Sequence, residues 1–276
     1  NSNLFGQKLN DGTIKTTIEA DVCVYAASAS GTLAAVAVAR EGYSVVIVEP
    51  THTIGGLLAS GFRMQQDVPD PQHLGGLTRD FYEKDIALHV GIHAPTLRHY
   101  QGAGEDNIAF LQEYINEYAD LIRVITNHRV VSVRTNQGFI QDALFEFAPA
   151  NKHGVPIPQR ASGNLTHVKA KVFIDASYEG DLMAYSGVSY RVGRESRDEY
   201  DESLAGVIIS RKFPGVDPYR VKGKPESGIL SPVFSDPIGK EGDSSKFFMG
   251  WNFKLAWETN PTEEYPGIPI SPPENK

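Results

Sequence analysis

Residues 20–48 read ADVCVYAASASGTLAAVAVAREGYSVVIV. Ala20–Tyr25 is a short apolar strand. After a turn of small residues, Gly31–Arg40 is an alanine-rich stretch whose side chains suit a helix packed close to its neighbours. Glu41-Gly42 supplies the glycine that ends such a helix. Ser44–Val48 is then a continuous apolar run, as a parallel strand covered on both faces presents. Strand, turn, helix, glycine and strand make a βαβ unit. Cys23, the sole cysteine, lies within the first strand and reads as a buried core position rather than a reactive thiol.

The remainder of the 276 residues fits around that unit. The length allows one to two domains with a sizeable core. A formal charge of −8 offers no basic footprint for a phosphate backbone, so nucleic-acid binding is not expected. No apolar run approaches the roughly 18–20 residues of a membrane span, and a mean hydropathy of −0.28 fits a soluble chain. There is no C-x-x-C for dithiol chemistry and no Cys/His spacing suited to zinc, so no metal site is expected. The chain opens with Asn1 and lacks a charged segment followed by an apolar one, which reads as processing or trimming. The sequon Asn164-Leu165-Thr166 is compatible with export, and no compartment is assigned.

Residues 1–17 read as a polar extension. Pro50–Gly76 is a glycine- and proline-bearing loop of the kind that covers a site. Helical patterns follow at Leu77–Val90 and Asp106–Tyr118. Leu121–Ile125, Val130–Arg134 and Ala143–Phe147 alternate at period two and, with a turn at Asn136-Gln137-Gly138, are expected to form a β-meander. Val168–Ile174 returns as a buried strand ending at Asp175. Beyond Ser186 the pattern weakens, and Pro261–Lys276 reads as linker. The expected divisions are an extension (1–17), an α/β Rossmann-like domain with a parallel sheet and an inserted meander (18–186), and part of a substrate or interface domain (187–276).

The turn after the first strand carries chemistry. A dinucleotide fingerprint would place glycines at 26, 28 and 31, and here the residues are Ala26, Ser28 and Gly31. Alanine and serine are still small enough for a backbone to approach a pyrophosphate at a helix N-terminus. Glu49 ends the second strand eighteen residues beyond Gly31, near the spacing at which an acidic side chain takes a ribose hydroxyl. Two readings stay open on these features alone: an adenine dinucleotide site, or a Rossmann turn without a nucleotide in which Glu49 is a solvated strand end.

The blocks DVCVYAASASGTLAAVAVAREGYSVVIVEP, IGGLLASGF, LGGLTRDFY, VFIDASYEGDLMAYSGVSYRVGRES and MGWNFKLAWETNP occur in order over residues 20–262. Together they resemble the FAD-dependent oxidoreductases of the glutathione-reductase-like two-dinucleotide-binding-domain superfamily, and within it the xanthan-lyase-like group. The resemblance implies FAD as cofactor. It implies that Ala26, Ser28, Ser30, Gly31 and Thr32 cradle the pyrophosphate, and that Glu49, followed by Pro50, binds the adenosine ribose. Gly55, Gly56 and Leu57 would pass close to the ribityl and pyrophosphate, with Ser60 and Gly61 nearer the ring. Val130 would meet the adenine through its main chain, and Ala176, Ser177, Gly180 and Asp181 would line the strand end that returns to the nucleotide. Helix 77–90 and residues 187–260 would belong to the substrate side.

Relatives carry glycine where Ala26 stands, and the family runs to roughly twice this length. The chain therefore reads as the N-terminal part of an enzyme, completed at the flavin by a missing C-terminal half or a second polypeptide. A flavin does its own redox chemistry, leaving the protein to position it and to move protons. His73 is the candidate proton acceptor from a substrate C–H or O–H, set against a surface loop histidine. Arg63 and Gln65 are candidates to orient a carboxylate or sugar hydroxyls. The expected function is hydride transfer between flavin and a small polar metabolite, carbohydrate-related. The alternative is a non-catalytic domain that keeps the fold for assembly with another chain. The mixed-sign run Arg194–Glu199 reads as an exposed salt-bridged face. Trp251, Trp257, Phe247, Phe248 and Phe253 read as core or interface.

Overall fold

The computed structural model describes residues 13–59, 64–65, 73–89, 101–102, 104–151, 163–208, 217–230 and 239–247. Asn1–Ser189 with Ala256–Lys276 form one compact unit and Tyr190–Leu255 a second.

In the first unit the elements run β1 (Thr13–Tyr25), α1 (Ala29–Arg40), β2 (Val45–Val48), a 3-10 turn (Gly56–Ala59), β3 (Met64–Gln65), α2 (Gly76–His89), β4 (Gln101–Gly102) and α3 (Gly104–Asn116). They continue as β5 (Ile122–Ile125), β6 (His128–Asn136), β7 (Phe139–Phe147), β8 (Asn164–Asp175) and α4 (Asp181–Ser186). Six strands form one sheet in the order β5-β2-β1-β8-β7-β6. β5, β2, β1 and β8 are mutually parallel, whereas β7 is antiparallel to both β8 and β6.

Pleating sends alternate residues of the central strands to two cores. Val22, Val24, Val45 and Ile47 pack on one face with Ala35, Val36 and Ala39 of α1 and with Phe110, Leu111 and Ile115 of α3. Cys23, Tyr25, Val46 and Val48 pack on the other with Val130, Ala143, Phe145, Val168 and Leu182. Cys23 is fully buried, and desolvation pushes its thiol pKa well up, so it is an apolar core group. α1 ends with Gly42 at φ 84°, the left-handed conformation that costs glycine least.

Several expectations are corrected. β1 starts at Thr13, inside the segment read as an extension, because Thr13–Thr17 pair with Asn164–His167 of β8. β5 is no part of the meander: it follows α3 and pairs in parallel with β2, as Val45 with Ile122 and Ile47 with Val124. A strand that returns through a helix on one face of a sheet arrives parallel. The antiparallel part is β6, β7 and the first half of β8. Its hairpin turn is Gln137-Gly138, with φ of 50° and 82°, the paired positive angles of a type I′ turn. β8 is longer and less buried than expected, and Val172 is 52% exposed. The cause is that β7 reaches only to Lys169, leaving the second half of β8 paired to β1 alone among the described residues. α4 was not foreseen.

The second unit carries a short helix, α5 (Arg197–Tyr200), and a 3-10 turn at Pro225–Ser227. Its charged run forms the exposed ion pairs Arg191–Glu199 and Arg197–Glu241. The tail read as linker, and Phe248, Trp251, Phe253 and Trp257, lie outside the described residues.

Candidate functional site

The carboxyl ends of β1, β2 and β8 converge on the turn that opens α1. Ala26 adopts φ 72°, a left-handed conformation in which a Cβ crowds the following carbonyl. The chain thus takes here the path that a glycine would take without strain. Ser28 is the N-cap of α1: its Oγ accepts from the Gly31 N–H at 3.2 Å and donates to the Ala176 carbonyl at 2.8 Å. The hydroxyl is therefore directed inward, bracing the turn against the end of β8. Ser30 Oγ lies 3.0 Å from Ser28 Oγ. Gly31 has no substitute, since a Cβ would overlap the Ala26 carbonyl oxygen and press on Ala176 Cβ at 3.0 Å. Thr32 is fully buried behind the turn, where its hydroxyl donates to the Ala27 carbonyl at 3.4 Å.

Glu49 ends β2 and is only 5% exposed. Its Oε2 accepts from the Ala27 N–H and its Oε1 from the Thr51 N–H, each at 2.6 Å. The reading of a solvated strand end is thereby excluded. A carboxylate accepts about four hydrogen bonds, so about two acceptor positions remain beside the turn, the number that a ribose diol would fill. Pro50 is half-buried next to it. The Gly55 N–H donates to the Ala27 carbonyl at 2.6 Å, bringing the glycine loop against the α1 turn. Gly55 and Gly56 have φ of 94° and 54°, a path that suits glycine alone. Asn107 of α3, buried to 1% exposure, donates to the Leu58 carbonyl at 2.8 Å and fixes the 3-10 turn from below.

β8 delivers the third side. Asp175 Oδ1 accepts from the Ser177 N–H at 2.9 Å and the Ser177 hydroxyl at 2.6 Å, while Oδ2 accepts from the Met183 N–H at 2.8 Å. Asp175 is therefore a detached cap for α4, whose own N-cap is Gly180 at φ 70°. Ser177 Oγ accepts from the Gly180 N–H at 2.9 Å. Asp181 opens α4, and desolvation at the helix start, followed by the Glu179 and Asp175 carboxylates, raises its pKa. Tyr178 reaches across to the glycine loop, its hydroxyl accepting from the Leu57 N–H at 2.8 Å.

A family model described as FAD dependent oxidoreductase matches residues 21–268. The chain belongs to that family. No curated protein matches it. Solved structures that it resembles include a flavin-dependent brominase, at 18% identity and a TM-score of 0.41 over 65% of this chain and 42% of the other. A geranylgeranyl bacteriochlorophyll reductase-like protein from Thermoplasma acidophilum is 14% identical, with a TM-score of 0.40 over 63% and 43%. The 3-ketosteroid-Δ4-(5α)-dehydrogenase from Rhodococcus jostii RHA1 is 15% identical, with a TM-score of 0.37 over 59% and 46%. The chain thus spans less than half the length of each.

FAD, the cofactor named in the family's description, fits the residues present: small residues at the α1 turn, two open acceptor positions on a buried carboxylate, and a glycine loop alongside. The structure brings together Ala26, Ser28, Ser30, Gly31, Glu49, Gly55, Gly56, Leu57, Ala176, Ser177 and Gly180. Val130 is buried on β6, where its N–H donates to the Tyr25 hydroxyl at 3.4 Å. His73 is exposed just before α2. Ser60, Gly61 and Arg63 lie outside the described residues, as does the side chain of Gln65. Sequence reasoning missed Asp175 as a cap, and it missed Asn107 and Tyr178. The first had a signal in the spacing of an acidic residue to a helix start, whereas the other two depend on contacts made across the fold.

Proposed function

We propose that the protein holds FAD at the α1 turn, with Glu49 on the adenosine ribose and Val130 beside the adenine, and acts as an oxidoreductase on a small polar metabolite. Bound FAD supplies a two-electron centre that exchanges a hydride with a substrate. The observation that carries the reading is Glu49, a buried carboxylate with two acceptor positions open beside a helix N-terminus. His73 would accept the substrate proton, and Arg63 and Gln65 would orient hydroxyls or a carboxylate of a carbohydrate-class substrate. A cavity of about 210 Å³ between the first turn of α1, α2 and α3 lies beside the turn and is lined mainly by apolar groups, Leu33, Leu58, Phe81 and Leu111 among them.

The test is uptake of FAD by the purified protein, followed by flavin absorbance. Wild type is expected to bind FAD, and Glu49→Gln to bind it roughly tenfold more weakly, as loss of a charged acceptor implies. A protein that takes up no added FAD would overturn the reading. Anaerobic bleaching of the flavin by candidate sugars or sugar acids then checks the substrate class. We further infer that chain outside these residues, or a second polypeptide, completes the flavin site. Leu204 and Val192 of the second unit, 78% and 67% exposed, are apolar side chains that such a chain would cover. Light scattering and copurification check it: a stable monomer with full FAD occupancy and no apolar patch would oppose it.

A further inference from the structure

Two loops are tied to the segment just after β8 by polar contacts at residues two apart in sequence. Ser28 ties the α1 turn to the Ala176 carbonyl. Two residues on, Tyr178 ties the Gly55–Leu57 loop by its hydroxyl, which accepts from the Leu57 N–H at 2.8 Å. The Tyr178 ring also lies on Gly56, where a Cβ would press on Cζ at 3.1 Å and overlap the hydroxyl oxygen. Tyr178 nevertheless remains 59% exposed. A tyrosine hydroxyl both accepts and donates. The acceptor side is used by Leu57, and no described residue accepts its proton. The segment that presents it is held rigid by Asp175, Ser177 and Gly180. An exposed phenol on a braced loop, with no described residue accepting its proton, is equipped to meet a ligand oxygen.

We propose that Tyr178 is a positioning residue for the bound dinucleotide: it presets the Gly55–Leu57 loop through the Leu57 amide and donates its hydroxyl proton to an oxygen of the cofactor. The inference rests on the FAD reading above. It predicts that Tyr178→Phe, which keeps the ring on Gly56 and removes only the hydroxyl, weakens FAD binding roughly fivefold in a fluorescence-quenching titration. Tyr178→Ala weakens it further.

A merely structural tyrosine would lower the melting temperature equally with and without FAD. A positioning residue instead shrinks the rise in melting temperature that FAD produces. Hydrogen exchange on the wild-type protein gives an independent readout, with the Leu57 amide protected before FAD is added and protected more strongly after. The proposal is overturned if Tyr178→Phe binds FAD as tightly as wild type, or if the Leu57 amide of the FAD-free protein exchanges at an unprotected rate. Failure of wild type to bind FAD would instead overturn the cofactor reading, and this inference with it.

Discussion

Ala26 holds a left-handed conformation, at φ 72°, in the turn that opens α1. An L-residue bears about 1–2 kcal/mol there, and glycine gives back about 0.5–1 kcal/mol of that as chain entropy. Ala26→Gly should therefore stabilise the protein by about 1 kcal/mol in urea unfolding. The strain is already borne by the FAD-free chain, and Ala26 is buried at 6% exposure. FAD affinity should accordingly stay within about twofold. A large gain in affinity would instead favour a lapsed site kept for assembly. The residues that make the turn were legible, because a strand, small turn residues, Gly31 and a carboxylate at the end of the next strand stand in the order and spacing of a Rossmann-like βαβ unit. The inward direction of the Ser28 hydroxyl was not, since its partner is 148 positions away in the chain.

At the level of elements, α4 depends on a cap outside itself. Asp175 accepts three hydrogen bonds, one of them from the Met183 N–H inside the helix. Asp175→Ala should cost about 1–3 kcal/mol. It should also raise amide exchange in Asp181–Ser186 well above that in α1. Equal exchange in the two helices would show that the cap is dispensable. α4 escaped the sequence reading because six residues carry too little periodicity to register, and its start signal sits six residues upstream. β1, α1 and β2 were legible because unbroken apolar runs and an alanine-rich helix leave no other element type. β5 was recognised as a strand but given the wrong neighbours: alternation reports a face, while the partner is chosen by the helix that precedes it.

Across the molecule, Asp21 joins three segments of the sheet. Its Oδ1 accepts from Lys171 Nζ of β8 at 2.7 Å, and its Oδ2 accepts from Ser44 N–H at 3.0 Å and Ser44 Oγ at 2.8 Å, just before β2. The Lys171 hydrogen bond, and then those from Ser44, lower the Asp21 pKa to about 2, against an unfolded value of about 3.9. A depressed folded pKa gives stability that is present above the unfolded value and lost as pH falls through the folded one. Stability should therefore drop between about pH 4 and 2, and Asp21→Asn should flatten that part of the profile in chemical unfolding measured at stepped pH. An unchanged slope would remove Asp21 from the acid response.

The pairing of β1 with β8 has a temporal consequence. The two strands lie side by side, as Val24 against Ile174 and Tyr25 against Asp175, yet one opens the sheet and the other closes it. On a ribosome, the first βαβ unit emerges well before the strand that must seat beside it, and the Ser28 latch has no Ala176 carbonyl to engage until then. Until residue 176 emerges, the nascent chain carries β1 with one side of its backbone unpaired, a template for wrong partners. Closing so long a loop is slow compared with local helix formation. The turn proposed above to hold FAD is thus braced only when β8 docks.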